Sequence, residues 1–371
     1  MLVNEFAIML LALIMCLVAT SIIHIRTKTS PLMEIKLLAI GFYFFSIAYI
    51  CFLPTTILNS PSETKIAVDE TGLLFFKIAT GFITIGLFLI LLGIYLPSFQ
   101  LSYKSISFLI LIIYIFVGSL VFNFQINQYM IGERLYIEYP FFTSLFISLS
   151  QGTVFSVIIW RIIRIKKILQ SKESIFLSNT TVFLVLFFGI TSSLAISIPS
   201  LYPNSVFPTF TNNLIIIFLF FHFAYAFYHD TAFLFVEAVK FQGVVICSKN
   251  SGMVYFSKSY VLDLPSDHLL SALLTSYNIS LNSLVGNLET NSYKVISYQD
   301  RVFQIYSGNY ANTIMITTKN NLTVEKFTVF ITKQFETNFN LDEEDMPFIQ
   351  MERFSGFKTT IDYVQKFFPY R

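Results

Sequence analysis

The sequence predicts an all-α bundle of seven transmembrane helices followed by a small α+β domain with the element order ββαβββαα. First, 55% of the 371 residues are hydrophobic and only 12% are charged, with a mean hydropathy of +0.68, whereas a soluble domain has about 25% charged residues. Second, nearly all long apolar runs lie before residue 230. Third, the runs after residue 240 are short and alternating. We therefore expect a transmembrane domain at 1–230, a connecting helix or linker at 231–240 and a cytoplasmic domain at 241–371.

The transmembrane helices are predicted from the length of the apolar runs. A helix needs about 20 apolar residues to cross the hydrocarbon core of a bilayer. The first run has no basic residue before it and is too long for a signal peptide, so we expect it to be retained. The seven predicted spans are 5–25, 37–58, 73–97, 105–125, 141–163, 175–198 and 206–229.

Basic residues in the loops predict the orientation, because Lys and Arg near helix ends remain cytoplasmic. Only Lys65 and Arg134 follow the second, fourth and sixth spans. The residues beside the first, third and fifth spans are Arg26, Lys28, Lys36, Lys104, Arg161, Arg164, Lys166, Lys167 and Lys172. We expect a multi-pass protein of the cell membrane with its N-terminus outside and its C-terminus in the cytoplasm.

The sequence lacks residues that several classes of seven-helix membrane protein need for their function. A retinal protein needs a lysine in its last span, and 206–229 contains none. The third span has no acidic-Arg-aromatic triplet, which argues against an animal-type G-protein-coupled receptor. A net charge of +2 provides no basic field for nucleic acid. In topology, the bundle resembles the seven-helix membrane sensor regions that precede signalling modules in prokaryotes.

Polar residues inside the spans are candidate ligand contacts, because burying them in lipid is costly. These candidates are Lys77, Gln151, Asn212 and Asn213. The alternative is structural, since Lys77 can reach the outer interface with its ammonium group. The amide side chains can likewise form hydrogen bonds between helices.

The histidines are a weaker signal. His222 and His229 are seven residues apart and share a helical face, and His24 is predicted near the same leaflet. Metal or haem ligation would need a further ligand at short spacing, which the sequence does not show. We therefore expect neither a metal site nor a cofactor.

The C-terminal domain shows period-two alternation typical of half-buried strands. A leucine-rich helix is predicted after Pro265, with Leu273 on its buried face, and Thr323 is predicted to cap a helix that carries Phe327 and Phe335. A last helix is predicted from Phe354. The predicted strands are 241–247, 253–257, 292–298, 302–307 and 312–317.

The segment GVVICSKNSGMVYFS at 243–257, followed by a Leu-Leu-x-x-Leu-Leu helix, resembles a longin domain, a family related to roadblock modules. The resemblance covers about 240–368. A PAS-type sensor domain is the alternative, but it usually places several short helices where this sequence has one long helix. Longin and roadblock domains are platforms for small Ras-like GTPases and for trafficking or signalling proteins. The resemblance therefore implies a partner-binding module and not an enzyme.

These features predict a membrane receptor or sensor whose longin-like module binds a small GTPase or a related partner. Coupling would pass through a helix-compatible run that contains Phe233, Phe235 and Glu237. The first alternative is a passive membrane anchor or trafficking adaptor. The second is a transporter with a regulatory domain, although the sequence shows no internal repeat of the kind many transporters have.

Overall fold

The computed structural model describes residues 2–28, 30–58, 70–96, 103–131, 134–138, 140–166, 172–197, 207–230, 232, 234–237, 239–249, 253–261, 291–339 and 357–368. The chain divides into two compact units, Met1–Phe235 and Val236–Arg371.

The first unit is helical, as the apolar runs predict. Among the described residues, six helices contain a stretch long and apolar enough to cross a membrane, and the described apolar part of α7, Leu214–His229, is shorter. The chain is therefore a multi-pass membrane protein. The helices are α1 (Leu2–Thr27), α2 (Met33–Leu58), α3 (Glu70–Tyr95), α4 (Tyr103–Asn123), α5 (Phe141–Lys166), α6 (Lys172–Ser197) and α7 (Phe207–His229).

Glycines allow α2 and α3 to approach closely. A Cβ atom on Gly41 would lie 2.6 Å from Ile90 and 2.8 Å from the Gly86 carbonyl oxygen, and one on Gly93 would lie 2.6 Å from the Glu34 carbonyl oxygen. Gly86 and Gly93 are seven residues apart and therefore lie on one face of α3. Small residues commonly permit this kind of backbone approach between membrane helices.

The remaining helices pack in a chain of neighbours. α1 contacts α2 and α7, α5 contacts α3, α4 and α6, and α6 contacts α7. Buried hydroxyls form hydrogen bonds in these contacts. Thr20 of α1 lies 3.1 Å from the Ser46 hydroxyl of α2, and Thr181 of α6 lies 2.7 Å from His222 Nε2 of α7.

A short hairpin between α4 and α5 was not predicted from the sequence. Strand β1 (Asn127–Ile131) pairs antiparallel with β2 (Arg134–Glu138). Two residues, Gly132 and Glu133, separate the strands. A two-residue connection that begins with glycine is a recognised hairpin signal.

The second unit contains the predicted five-stranded antiparallel sheet. The strands occur in the spatial order β4-β3-β7-β6-β5, and every neighbouring pair is antiparallel. The middle strands are buried along almost their whole length. Their bounds are β3 (Phe241–Ser248), β4 (Val254–Ser259), β5 (Ser292–Tyr298), β6 (Arg301–Ser307) and β7 (Ala311–Thr317).

Two helices follow the sheet, α8 (Leu322–Phe339) and α9 (Lys358–Gln365). The prediction that Thr323 caps α8 is wrong, because Asn321 Oδ1 accepts the Thr323 N–H at 2.7 Å. Asn321 therefore satisfies one of the four N–H groups left open at a helix start. Phe327 and Phe335 are fully buried on the face of α8 that the sequence predicts.

A polar network lies within the sheet. Gln304 of β6 is fully buried. Its amide nitrogen donates to the Thr317 hydroxyl at 3.0 Å and to the Lys319 carbonyl at 3.3 Å. Its amide oxygen accepts the Tyr293 hydroxyl. Burial raises the pKa of Tyr293, as does the nearby Glu325 carboxylate, so its hydroxyl remains a donor.

The predicted leucine-rich helix with Leu273 and the predicted beginning of the last helix at Phe354 lie outside the described residues.

Candidate functional site

An open groove of about 470 Å³ lies between α5 and α6, within two of the membrane spans. It includes one of the residues singled out from the sequence, Gln151. From α5 it is lined by Ser148, Gln151, Gly152, Phe155, Ser156 and Ile159. From α6 it is lined by Val185, Leu186, Gly189 and Ile190. No lining residue is charged.

Two glycines leave room for the groove. A Cβ atom on Gly152 would meet nothing within 4 Å, so this part of α5 faces open space. On α6, a Cβ atom on Gly189 would lie 3.1 Å from the Phe155 ring, and this ring therefore rests directly on the α6 backbone. The two helices touch through Phe155 and leave a gap beside it at Gly152.

The hydroxyls of α5 between residues 148 and 156 fall into two groups. Ser150 and Thr153 donate to the carbonyls of Ile147 and Leu149 in their own helix, at 2.8 and 2.7 Å. In the part of the chain that the structure describes, the groove hydroxyls of Ser148 and Ser156 have no hydrogen-bond partner. The groove therefore presents hydroxyl groups that a bound molecule can engage.

Further along α5, Arg161 is buried although it carries a charge. Its side chain is 1% exposed, and its Nε atom donates to the Leu234 carbonyl oxygen at 3.1 Å. Leu234 is itself fully buried and lies just after α7. A hydrogen bond from a charged donor is worth about 1.5–3 kcal/mol. We call this contact the Arg161–Leu234 clasp.

The segment after α7 is not the stiff helix that its sequence allows. α7 ends at His229, and the described residues between it and β3 form turns or irregular structure. The Asp230 carboxylate accepts the Ala232 N–H at 3.0 Å, and the Ala232 carbonyl accepts the Phe235 N–H at 2.7 Å. Of the two expected alternatives, a connecting helix or a linker, the described residues form the linker, because a side-chain turn at Asp230 competes with the helix.

The predicted coupling residues lie on both sides of the boundary between the units. Phe233 is outside the described residues. Phe235 is 1% exposed and belongs to the first unit. Glu237 belongs to the second unit, where its N–H donates to the Phe367 carbonyl at 2.8 Å and its carboxylate accepts the Asn321 amide at 3.4 Å. Each end of the segment is thus fastened to its own unit.

The structure does not gather all the predicted ligand contacts in one place. Lys77 of α3 donates to the Phe124 carbonyl at 2.8 Å, and Asn123 donates back to the Lys77 carbonyl at 2.6 Å. Lys77 therefore joins α3 to the end of α4, whereas Gln151 lines the groove between α5 and α6. Asn212 and Asn213 lie in α7, and their side chains are outside the described residues.

Arg161 was interpreted from the sequence only as a topology signal. Helical spacing distinguishes it from Arg164, because Val154, Ile158, Arg161 and Ile165 share one buried stripe of α5. Arg164 instead lies over the Trp160 ring at 5.6 Å. A charged residue on the buried stripe was the available signal for the clasp.

Gly152 and Gly189 were the sequence signal for the groove. They indicate a groove only when α5 and α6 are known to be neighbours. No protein-family model, curated protein or solved structure matches this chain.

Proposed function

We propose that this protein is a seven-span membrane receptor or sensor whose C-terminal unit, a longin-like module, binds a small Ras-like GTPase or a related signalling partner in the cytoplasm. The observation that carries the proposal is the Arg161–Leu234 clasp. It ties α5, which lines the groove, to the short segment that leads into the C-terminal unit.

The clasp supplies a physical route for coupling. A ligand that fills the groove stabilises one separation of α5 and α6 over another, and it shifts the population by its difference in affinity for the two arrangements. Ten residues, about 15 Å of helix, separate Gln151 from Arg161. A rigid shift or rotation of α5 therefore moves the guanidinium group that holds the Leu234 carbonyl.

The architecture of the C-terminal unit supports the partner-binding role. Two antiparallel strands, then three more, and finally two helices occur among the described residues, and the helix that the longin-like order ββαβββαα adds after the second strand lies outside them. On the edge strand β5, Tyr298 is 63% exposed and Val295 is 38% exposed. Exposed apolar side chains on an edge strand offer a contact surface for a partner that adds a strand to the sheet.

The orientation of the seven spans rests on the charge pattern of the loops. Single cysteines placed at Ser62 and Glu133 should react with an impermeant thiol reagent added outside intact cells. A cysteine at Ser171 should react only after permeabilisation. Labelling at Ser171 in intact cells would reverse the proposed topology.

The functional test compares two arginines of the same helix. Arg161→Gln removes the clasp, and Arg164→Gln is the matched control because Arg164 contacts the surface of Trp160. Full-length protein in lipid nanodiscs is tested for binding to purified small GTPases carrying GDP or a non-hydrolysable GTP analogue. Hydrogen exchange across residues 230–240 is followed in the same samples.

We expect Arg161→Gln to speed exchange in the segment and to change GTPase binding, with Arg164→Gln like the unmodified chain. Faster exchange with unaltered GTPase binding would identify the bundle as a passive anchor. Absence of binding to any GTPase, by the unmodified chain as well, would refute the recruitment role.

A further inference from the structure

The groove between α5 and α6 has a chemistry that points to one class of ligand. We infer that it receives an uncharged, lipid-like molecule bearing a hydroxyl or similar hydrogen-bonding group, which enters sideways from the bilayer. The identity of this site as the sensor's ligand site rests on the proposed function, whereas the binding of such a molecule does not.

The groove lies within two membrane spans, and this position determines whether lipid or water surrounds it. The lining residues of α5 fall within the span Phe141–Lys166, and those of α6 fall within the span Ser174–Thr191. Leu186 and Ile190 on the α6 side are 49% and 58% exposed. In a membrane this exposed side faces lipid and not water. A ligand therefore reaches the groove from the hydrocarbon phase.

The lining also limits the charge of the ligand. It is largely apolar and contains no Lys, Arg, Asp or Glu. Placing an ionised carboxylate or ammonium in such surroundings is costly unless an opposite charge accompanies it. Arg161 is not among the lining residues, and it is occupied by the Leu234 carbonyl. A neutral molecule is therefore favoured over a fatty acid anion or an amine.

The polar groups require a hydrogen-bonding ligand and not a pure hydrocarbon. Ser148 and Ser156 lie two turns apart along the same side of α5, about 12 Å, with Gln151 between them. Hydroxyls in hydrocarbon are costly when they lack a partner. A ligand hydroxyl satisfies one of them, and the alkyl chain of the ligand covers the apolar lining beside Phe155.

The test uses two photoreactive probes and the full-length protein in nanodiscs. One probe is a long-chain alcohol with a diazirine in its alkyl chain, and the other is the carboxylic acid of the same chain. After illumination, the labelled residues are located by mass spectrometry. We expect the alcohol to label 148–159 and 185–190, and the acid to label them roughly tenfold less at neutral pH.

Three variants distinguish a specific site from general lipid contact. Gly152→Phe fills the groove and should abolish labelling there, and the open space at Gly152 makes the side chain sterically acceptable. Ile163→Phe adds the same bulk to an exposed position of α5 outside the groove and should leave labelling unchanged. Replacing Ser148 and Ser156 together by alanine should weaken alcohol labelling by roughly two- to tenfold.

Several results would overturn the inference: equal labelling by the acid, labelling that survives Gly152→Phe, or cross-links between two copies through α5 in place of probe labelling. The sensor function fails separately. If the alcohol occupies the groove and leaves exchange across residues 230–240 unchanged, the ligand site stands and the coupling to the C-terminal unit is refuted.

Discussion

The close contact between α2 and α3 is tested by replacing Gly93 with alanine. The new Cβ atom would lie 2.6 Å from the Glu34 carbonyl oxygen and 3.1 Å from the Leu38 nitrogen. Ordinary contact begins at 3.4 Å, so the two backbones must separate by about 0.8 Å. Both neighbours are backbone atoms of α2 and cannot rotate away. Overpacking of this kind costs about 1–3 kcal/mol of the free energy of unfolding.

The assay uses the buried cysteine of the same unit. Cys16 is fully buried, with its sulfur 3.3 Å from the Ser46 hydroxyl of α2. Full-length protein in detergent micelles, with the other two cysteines replaced, is heated with a fluorogenic maleimide. The midpoint of the Cys16 reaction should be roughly 2–12 °C lower in Gly93→Ala than in an alanine variant of an unpacked glycine in the same unit.

Gly152→Ala is the matched control, because its Cβ atom meets nothing within 4 Å. Alanine also has a higher helix propensity than glycine by about 1 kcal/mol. The control should therefore unfold at the same temperature as the unmodified chain or slightly above it. Equal midpoints for Gly93→Ala and Gly152→Ala would show that α2 and α3 are not in backbone contact at Gly93.

Three further predictions concern the C-terminal unit and are checked by hydrogen exchange of the full-length protein. Burial lowers the pKa of Lys258, but its contacts with Asp362 and Tyr260 outweigh this effect and raise the pKa above its usual value. The protection lost in Lys258→Met should therefore be evident at neutral pH, and the difference from the unmodified chain should vanish as the pH rises through the elevated pKa. A constant difference to the highest pH would contradict this. Asn321→Ala should destabilise the start of α8 by about 1 kcal/mol, and a larger effect of Thr323→Val would restore Thr323 as the cap. Gln304→Ala should cost about 1–3 kcal/mol because it leaves the part-buried Tyr293 hydroxyl without its acceptor and removes the amide that bonds to Thr317 and to the Lys319 carbonyl. Unchanged protection of β6 would refute the network.

The sequence was most informative where one physical requirement acts alone. The length of apolar run needed to cross a bilayer predicted the helices of the first unit within a few residues at most ends. Alternation of apolar and polar residues predicted all five strands of the sheet, because each strand has one face that packs on the core. The β1–β2 hairpin was missed because its two short strands are bounded by transmembrane helices and were interpreted as a loop.

The candidate site could be predicted only in part. Gln151 was found because an amide within a span is costly and therefore conspicuous. The groove beside it depends on Gly152 and Gly189, and the space they leave exists only when α5 and α6 are paired. The connecting run has helix-compatible residues, but the Asp230 side chain captures the Ala232 N–H and redirects the chain. The competition between helix and turn is decided here by one side-chain hydrogen bond, which the hydrophobic periodicity of the sequence does not reveal.

The proposed coupling requires a ligand preference in the groove that is comparable in size to the energy of the clasp. A charge-assisted hydrogen bond such as the Arg161–Leu234 clasp is worth about 1.5–3 kcal/mol. Allosteric coupling of about 1–3 kcal/mol corresponds to a ligand that prefers one state by roughly 5- to 150-fold. A ligand that satisfies a groove hydroxyl and covers apolar lining in only one arrangement of α5 supplies a difference of this order. Because Arg161 is buried, its guanidinium group cannot exchange the Leu234 carbonyl for water without moving, so a shift of α5 either carries the segment with it or breaks the clasp.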